Sequence, residues 1–195
     1  MDYEVDICQL SQAFFTAYPP NQFPELMTKD ARPYTCLLIE THEDYLICVP
    51  FRSSIQHKEA FLFTNTQRSK RTQSGLDYKK AVIIKDGTYI DSTANVVVDN
   101  DEYTAMMTNI GSIVENVHNY VQKYVDHVSG TKVLHPKEYL RRFQYSTLPY
   151  FHPELGLESS NESNKSPSDR LEVIRAFCSL VVLVNEVFQD FAAVL

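Results

Sequence analysis

The sequence lacks the motifs that support the commonest kinds of nucleotide and hydrolase chemistry. It has five glycines in 195 residues, which argues against a glycine-rich loop that cradles phosphate. The phosphate-binding pattern G-x-x-x-x-G-K, the dinucleotide pattern G-x-G-x-x-G and the nucleophile pattern G-x-S-x-G are all absent. These absences argue against nucleoside triphosphate hydrolysis, dinucleotide-dependent redox chemistry and α/β-hydrolase chemistry.

Cysteine and histidine are present, but their spacing is not that of metal ligands. None of the four cysteines forms a C-x-x-C pair, and the six histidines form no H-E-x-x-H or other close pattern. Three of the cysteines lie in apolar runs, where a free thiol behaves as a small hydrophobic group. We therefore expect reduced thiols, no bound metal and no cofactor.

The sequence also has no evident secretory signal or membrane span. The first residues contain no basic stretch followed by an apolar one. The most apolar segment, residues 173–195, is interrupted by Arg175, Glu186 and Asp190, which is costly in a bilayer and ordinary in a packed helix. We expect a cytoplasmic protein without a membrane partner.

Positive charge is concentrated in one segment of an acidic chain. The whole chain carries a formal charge of −7, whereas residues 52–85 carry +6 and the rest −13. The segment has two acidic residues and eight basic ones, namely Arg52, Lys58, Arg68, Lys70, Arg71, Lys79, Lys80 and Lys85. This distribution predicts local contacts with a polyanion, most simply the phosphates of RNA, and is equally compatible with a solvated loop.

Short strand-like segments separated by turns dominate residues 1–95. Alternating or β-branched runs predict strands at 3–7, 34–40, 45–49, 60–63, 81–84 and 88–91. The second and third of these form a predicted hairpin, and Asp86-Gly87 predicts a tight turn between the last two, because both residues tolerate positive φ. Ser11 is predicted to cap a short helix over 12–18. This pattern favours a small curved antiparallel sheet that closes into a barrel.

The second half of the chain has helical periodicity. Apolar residues recur at spacings of three and four over 103–128, which predicts one long amphipathic helix that ends near Gly130. A shorter helix is predicted over 137–143, and a last helix is predicted to begin near Ser166 after an exposed, serine-rich loop. We therefore predict one α+β domain over residues 1–195, with the strands and the site in 1–95 and long covering helices in 100–195.

The segment 52–58, Arg52-Ser53-Ser54-Ile55-Gln56-His57-Lys58, follows a predicted strand and combines groups suited to RNA cleavage. Cleavage without metal needs a base for the ribose 2′-OH, cations and hydroxyl donors for the phosphorane oxygens, and an acid for the leaving 5′ oxygen. Histidine is the residue type whose charge changes nearest neutral pH, which makes His57 the acid–base candidate, and Arg52 can hold phosphate through two N–H donors. The alternative is a serine-capped turn beside a surface histidine, and the pattern alone favours that alternative.

A second polar cluster, Ser74-Gly75-Leu76-Asp77-Tyr78-Lys79-Lys80, leads into the predicted strand 81–84. We interpret it as an RNA-contacting segment in which Tyr78 stacks on a base and Lys79 or Lys80 meets phosphate. The alternative is a turn followed by a tyrosine packed on the sheet. Between the two clusters, residues 64–73 are predicted to form a loop that is either RNA-contacting, through Arg68, Lys70 and Arg71, or simply flexible.

Two stretches resemble the toxins of type III toxin–antitoxin systems, in the TenpN branch. They are residues 45–63, around Val-Pro-Phe-Arg-Ser-Ser-Ile-Gln-His-Lys, and residues 74–84, around Gly-Leu-Asp-Tyr-Lys-Lys-Ala-Val-Ile-Ile. The similarity to ToxN, AbiQ and CptN is more distant. The resemblance covers most of the first hundred residues, and the helical half agrees in general shape.

The resemblance implies a MazF/Kid-like barrel with added helices and a metal-independent endoribonuclease that leaves a 2′,3′-cyclic phosphate and a 5′-hydroxyl. It implies a repeat-derived, pseudoknot-like RNA antitoxin as inhibitor, messenger RNA as substrate, and a role in growth arrest and phage defence. DNA is not an expected partner.

The resemblance also bears on single residues. A family lysine before the first strand of the pair corresponds to Arg32, which becomes a predicted phosphate contact. The family motif Leu-Thr-Ser-x-Lys reads Phe-Arg-Ser-Ser-Ile here, so Ser53 is kept, Arg52 replaces the threonine and isoleucine replaces the lysine. His57 or Lys58 then supplies the base, and both alternatives stay open. A noncatalytic RNA-binding module using the same basic face, and a structural protein with an incidental basic loop, are the competing classes.

Overall fold

The computed structural model describes residues 4–26 and 34–157 and shows an α+β fold, as predicted. Six strands form one antiparallel sheet; they are β1 (Val5–Gln9), β2 (Thr35–Glu40), β3 (Leu46–Arg52), β4 (Ala60–Leu62), β5 (Gly75–Asp77) and β6 (Val82–Ile84). The helices are α1 (Gln12–Ala17), α2 (Ser69–Thr72), α3 (Asn100–Thr108), α4 (Ile110–Val128) and α5 (Pro136–Phe143). Short 3₁₀ turns lie at Pro24–Leu26, Tyr78–Lys80, Gly87–Tyr89 and Leu148–Phe151.

Strand β3 is the centre of the sheet. It pairs with β2 along one side, and this hairpin confirms the strand pair predicted at 34–40 and 45–49. On its other side β3 pairs first with β6, at Leu46–Cys48, and then with β5, at Phe51 and Arg52. The strand order is therefore β1-β2-β3-β5-β4, with β6 beside the first half of β3. The end of β3 at Arg52 and the start of β5 at Gly75 consequently lie side by side.

The sheet does not close into a barrel, so that part of the prediction is wrong. Strand β4 is three residues long and pairs with β5. Strand β1 pairs with β2, and Leu10, directly after β1, makes an isolated bridge with Ile90. A closed barrel needs a continuous ladder of hydrogen bonds around its circumference. The three-residue strands β4, β5 and β6 are too short to provide one.

The hairpin predicted at Asp86-Gly87 is also wrong. The Asp86 carboxylate accepts the backbone N–H of Thr88 at 2.9 Å and so caps a 3₁₀ turn at Gly87–Tyr89. The chain then leaves β6 and approaches the first helix, where the Ser11 N–H donates to the Tyr89 carbonyl at 2.8 Å. An aspartate that satisfies its own following backbone competes with the hairpin turn.

The long helix predicted over 103–128 is present as two helices. Helix α3 ends at Thr108, and Asn109 interrupts the pattern because its side-chain amide donates to the Ala105 carbonyl at 2.8 Å. Helix α4 then buries a stripe that includes Val117 and Tyr124. Helix α1, capped by Ser11, and helix α5 lie where the sequence predicts them.

Aromatic side chains join the helices to the sheet. Tyr120 of α4 lies 5.0 Å from Phe143 of α5 and 6.4 Å from Tyr78 at the end of β5, measured between ring centroids. All three belong to one continuous core of buried residues. In the part of the chain that the structure describes, no helix is long and apolar enough to cross a membrane. The loop at 158–168 and the last predicted helix lie outside the described residues.

Candidate functional site

The two polar clusters that the sequence separates by about twenty residues meet at one edge of the sheet. Strand β3 ends at Arg52, which pairs in register with Gly75, the first residue of β5. Gly75 fits there because a Cβ atom would collide with the carbonyl oxygen of Phe61 in the neighbouring strand β4. Asp77 ends β5 opposite Ala60, so the carboxylate lies among the ends of three strands.

Asp77 is the electrostatic centre of this edge. It is 3% exposed, and a buried carboxylate needs donors. His57 Nε2 lies 3.2 Å from its Oδ1, Arg52 Nε lies 3.6 Å from its Oδ2, and the Lys79 backbone N–H donates to Oδ1 at 3.0 Å. The sequence predicted Arg52 and His57 as catalytic and Asp77 as an RNA contact. In the structure, the Asp77 carboxylate lies between the Arg52 and His57 side chains and contacts both.

His57 occupies a position suited to proton transfer. Its side chain is 27% exposed, and its Nδ1 atom is buried with no hydrogen-bond partner among the described residues. A neutral imidazole has one nitrogen that donates a proton and one that can accept a proton, which suits the partly exposed His57 ring to proton transfer.

Ser53 and Ser54 are exposed on a tight turn that main-chain contacts hold in place. Ser54 has φ of 60°, in the left-handed region, and its N–H donates to the Thr72 carbonyl at 2.5 Å. Ile55 is 4% exposed and its N–H donates to the Gln73 carbonyl at 3.3 Å. A serine in this conformation costs free energy that the surrounding contacts must offset, and such residues cluster at functional sites.

Three exposed cations lie near this turn. Lys58, Lys70 and Arg71 are exposed, and none makes an ion pair with a residue that the structure describes. Lys70 and Arg71 lie on α2, directly before Thr72, which contacts the serine turn. Residues 64–73 are therefore an ordered turn-and-helix segment here, which corrects the prediction of a loop without regular structure.

Arg68 points into the protein instead. Its Nε lies 3.2 Å from Oε1 of Glu102, a carboxylate that is 1% exposed, and the same oxygen accepts the Ser74 hydroxyl at 2.5 Å. Glu102 therefore ties α3 to the residue that precedes β5. Sequence reasoning missed Glu102, since an acidic residue in the first turn of a helix is ordinary and the partners are about thirty positions away.

Tyr78, Lys79 and Lys80 do not form the RNA-contacting row that the sequence predicted. Tyr78 is 5% exposed and packs toward Tyr120, which leaves no face for a base. The Lys79 ammonium donates to the Arg141 carbonyl at 2.9 Å and to the Gln144 carbonyl at 3.3 Å. These side chains consequently stabilise the fold behind the site. This agrees with the alternative interpretation of the sequence, a turn followed by a tyrosine that packs on the sheet.

Lys80 makes an ion pair inside the protein. Its ammonium lies 2.8 Å from the Glu25 carboxylate and donates to the Tyr145 carbonyl at 2.6 Å, with the lysine side chain 6% exposed. Burial lowers the pKa of Lys80, and the Glu25 and Asp77 carboxylates partly offset this effect. Burial likewise lowers the pKa of Lys79. Runs of lysine usually indicate a solvated face, so this burial was not visible in the sequence.

Lys85 does not belong to the site. It lies after β6, beside the start of β3, and pairs with Asp44 of the β2–β3 hairpin at 2.8 Å. The length of β3 puts it about 20 Å from Arg52. Arg32, the other predicted phosphate contact, lies outside the described residues.

A second ion-pair group supports the segment that carries His57. Arg142 of α5 lies 2.7 Å from the Glu59 carboxylate and 2.9 Å from that of Glu138. The Glu59 carbonyl also accepts the Tyr78 N–H at 3.1 Å. Helix α5 therefore fixes the chain two residues after His57.

Within the described residues, no group of three or more histidine, cysteine or acidic side chains is placed to hold a metal ion. The chain matches no protein-family model, no curated protein and no solved structure. The fold itself is α+β with an open antiparallel sheet.

Proposed function

We propose that this protein is an endoribonuclease that cleaves RNA without a metal ion, through attack of the ribose 2′-OH on the adjacent phosphate. The observation that carries the proposal is the contact of His57 with buried Asp77, beside Arg52 and two exposed serines. A carboxylate that orients an imidazole at a protein edge is a recurrent arrangement for proton transfer.

The proposed mechanism assigns one task to each group. His57, whose side chain is 27% exposed, takes the proton of the 2′-OH, and Asp77 stabilises the imidazolium that results. Arg52 and the hydroxyls of Ser53 and Ser54 donate to the non-bridging oxygens, where charge develops. Lys58 gives a proton to the leaving 5′ oxygen, so that the products are a 2′,3′-cyclic phosphate and a 5′-hydroxyl.

The biological role that we propose is that of the toxin in a type III toxin–antitoxin system, acting on messenger RNA in the cytoplasm. Its support is the resemblance of residues 45–63 and 74–84 to the TenpN branch. Lys58, Lys70 and Arg71 on the exposed edge would contact both the substrate and an inhibitory repeat-derived RNA. We expect a tandem array of short noncoding repeats directly upstream of the coding sequence.

A single set of purified variants tests the enzymatic part. We expect the wild type to cleave single-stranded RNA in the presence of EDTA. His57→Ala and Ser53→Ala should bind the same RNA and cleave it at least a hundredfold more slowly, since a positioned acid–base group contributes about 10²- to 10⁴-fold. His42→Ala, at an exposed histidine of the β2–β3 hairpin, is the matched control and should cleave normally.

The same experiment separates the proposal from its competitor. RNA that is bound by the wild type, with a salt-dependent affinity, but never cleaved would indicate a noncatalytic RNA-binding module. RNA that is neither bound nor cleaved, together with no growth arrest on expression, would indicate a structural protein with an incidental basic segment.

A further inference from the structure

Glu102 is a buried carboxylate that the proposed mechanism does not use. It lies in the first turn of α3 and is 1% exposed. Its Oε1 atom accepts the Ser74 hydroxyl at 2.5 Å and lies 3.2 Å from Nε of Arg68. A buried ion pair is costly to desolvate, and a hydrophobic side chain of similar size often stabilises such a position equally well. Stability alone is therefore a weak explanation for an acid at this position.

The two partners of Glu102 lie on two parts of the chain that meet beside the candidate site. Ser74 directly precedes β5, and the pairing of β5 with β3 and β4 fixes that strand in the sheet. Arg68 directly precedes α2, and its carbonyl accepts the Thr72 N–H at 3.0 Å. The Glu102 carboxylate therefore links the α2 segment to a strand that the sheet already holds in place.

The α2 segment in turn holds the serine turn. The Ser54 N–H donates to the Thr72 carbonyl at 2.5 Å, and the Ile55 N–H donates to the Gln73 carbonyl at 3.3 Å. Ser54 has φ of 60°, a conformation that persists only where the surrounding contacts enforce it. A shift of α2 would consequently move the turn that carries the hydroxyls of Ser53 and Ser54.

Helix α3 restrains the start of this segment at a second point. Asp101, the residue before Glu102, accepts the Gln67 N–H through its Oδ2 atom at 2.8 Å. Asp101 is exposed, whereas Glu102 is buried, and a charged contact is stronger where water is excluded. Adjacent acids of α3 thus hold adjacent residues before α2, and the contact made by Glu102 is the stronger of the two.

We propose that Glu102 is a positioning residue for RNA cleavage, which acts through Arg68 and α2 to place the serine hydroxyls relative to His57 and Asp77. The proposal rests on the proposed endoribonuclease function and adds a residue that does not touch the substrate. It gives Arg68, which the sequence predicted as an RNA contact, a different task. Displacement of reacting groups by about 1 Å can lower a rate about a hundredfold, so a buried carboxylate that fixes α2 can control cleavage.

Cleavage of single-stranded RNA at saturating concentration measures the effect. Glu102→Gln keeps the size of the side chain and an oxygen for the Ser74 hydroxyl, but it removes the charge that faces Arg68. We expect kcat to fall about 10- to 100-fold. RNA affinity should change less than about threefold, because the exposed cations beside the turn still meet phosphate. Glu115→Gln, at an exposed acid of α4, is the matched control and should cleave like the wild type.

Two further variants separate loss of position from loss of stability. Val117→Ala removes buried apolar volume from α4, so it should lower the free energy of unfolding without lowering kcat under conditions where the protein stays folded. In a Ser53→Ala/Ser54→Ala background, which lacks the positioned hydroxyls, Glu102→Gln should lower the single-turnover rate by less than about threefold. A general structural effect would lower the rate equally in both backgrounds.

If Glu102→Gln does not fold, Arg68→Lys takes its place, because it keeps the charge and loses the planar guanidinium. Its kcat should fall at least about tenfold.

Three results would overturn the proposal. They are a wild-type kcat in the folded variant, an equal loss with and without the serine hydroxyls, and a loss of kcat in Val117→Ala as large as that in Glu102→Gln. In each case the wild type would still cleave RNA, and the proposed function would stand. If the wild type leaves RNA intact, the proposed function is wrong, and the role of Glu102 in cleavage is wrong with it.

Discussion

Replacement of Asp77 by asparagine changes the site with the least disturbance of the fold. Asparagine keeps an oxygen that can accept the Lys79 N–H, now at 3.0 Å, and is nearly the same size. It removes the charge that faces His57 at 3.2 Å and Arg52 at 3.6 Å. We therefore expect Asp77→Asn to fold and to lose most of its ribonuclease activity.

The size of the loss follows from the role of His57. If Asp77 acts through His57, its removal can cost at most what removal of the imidazole costs, about 10²- to 10⁴-fold in kcat. The Asp77 carboxylate faces the partly exposed Arg52 and His57 side chains at ion-pair distance, so the loss of its charge should lower the free energy of unfolding by about 2 kcal/mol.

Single-turnover cleavage of a short RNA, measured for the wild type, each single variant and the double variant, tests this coupling. In the His57→Ala background, Asp77→Asn should lower the rate by less than about threefold, because the two residues act as one unit. Equal reductions in both backgrounds would show that the residues act independently. Full activity of Asp77→Asn would refute the role assigned to the carboxylate.

Three further predictions concern stability and are checked by urea unfolding. Lys80→Met should lower the free energy of unfolding by about 3 kcal/mol, because the Glu25 carboxylate, 15% exposed, loses the ammonium that lies 2.8 Å from it, and adding Glu25→Gln should restore part of that loss. Gly75→Ala should cost about 1–3 kcal/mol or more, because the new methyl group meets the Phe61 carbonyl, whereas Gly87→Ala, with open space around it, should cost little. Burial lowers the pKa of His127 below 6.5, so the folded protein favours the neutral ring. The stabilisation by neutral His127 is therefore complete above pH 6.5, and the free energy of unfolding should decrease as the pH falls below that value.

Each of these stability predictions has a result that contradicts it. Equal stabilities of Lys80→Met and its double variant would mean that Glu25 is not the partner that matters. If the two glycine variants lose similar amounts of stability, the close approach of β4 is not the reason that position 75 requires glycine. The pH dependence should be smaller in His127→Phe, which keeps a ring beside Tyr139 and cannot titrate; an unchanged slope would assign the effect to other groups.

Local patterns in the sequence were sufficient for the elements that depend on local physics. Alternation predicted β1, the β-rich pair predicted the β2–β3 hairpin, and Ser11 and Pro136 marked the starts of α1 and α5. The predicted barrel was wrong because closure depends on strand length, and several strands here have only three residues. The predicted Asp86-Gly87 hairpin was wrong because the Asp86 side chain caps the following turn. A strand of three residues, such as β5, has too little pattern to be recognised.

The sequence predicted individual residues of the site, but it did not predict which of them lie next to each other. Arg52 and His57 stood out by residue type, and Asp77 belonged to a separate cluster. What joins them is the register of β3 with β5, which no local pattern specifies. The burial of Lys80 was not predicted for the same reason, since its partners Glu25 and Tyr145 are 55 and 65 positions away in the sequence.

The structure also changes how the charge distribution should be interpreted. Of the eight cations in 52–85, Arg52, Arg68, Lys79 and Lys80 bind groups within the protein. Lys85 pairs with an aspartate at the far end of the sheet. Beside the site, three cations make no ion pair with a residue that the structure describes. Together with Arg52, which the proposed mechanism places on the phosphate, they should give a salt dependence of RNA binding that corresponds to about four phosphate contacts rather than eight.

The nature of the ends left on cleaved RNA tests the central proposal most directly. Purified wild-type protein is incubated with single-stranded RNA in EDTA, and the products are separated and their termini identified. We predict a 2′,3′-cyclic phosphate and a 5′-hydroxyl, with no cleavage of an oligonucleotide that carries 2′-deoxyribose throughout. Products with a 3′-hydroxyl and a 5′-phosphate, or RNA that stays intact, would contradict cleavage by the 2′-OH with His57 as the base.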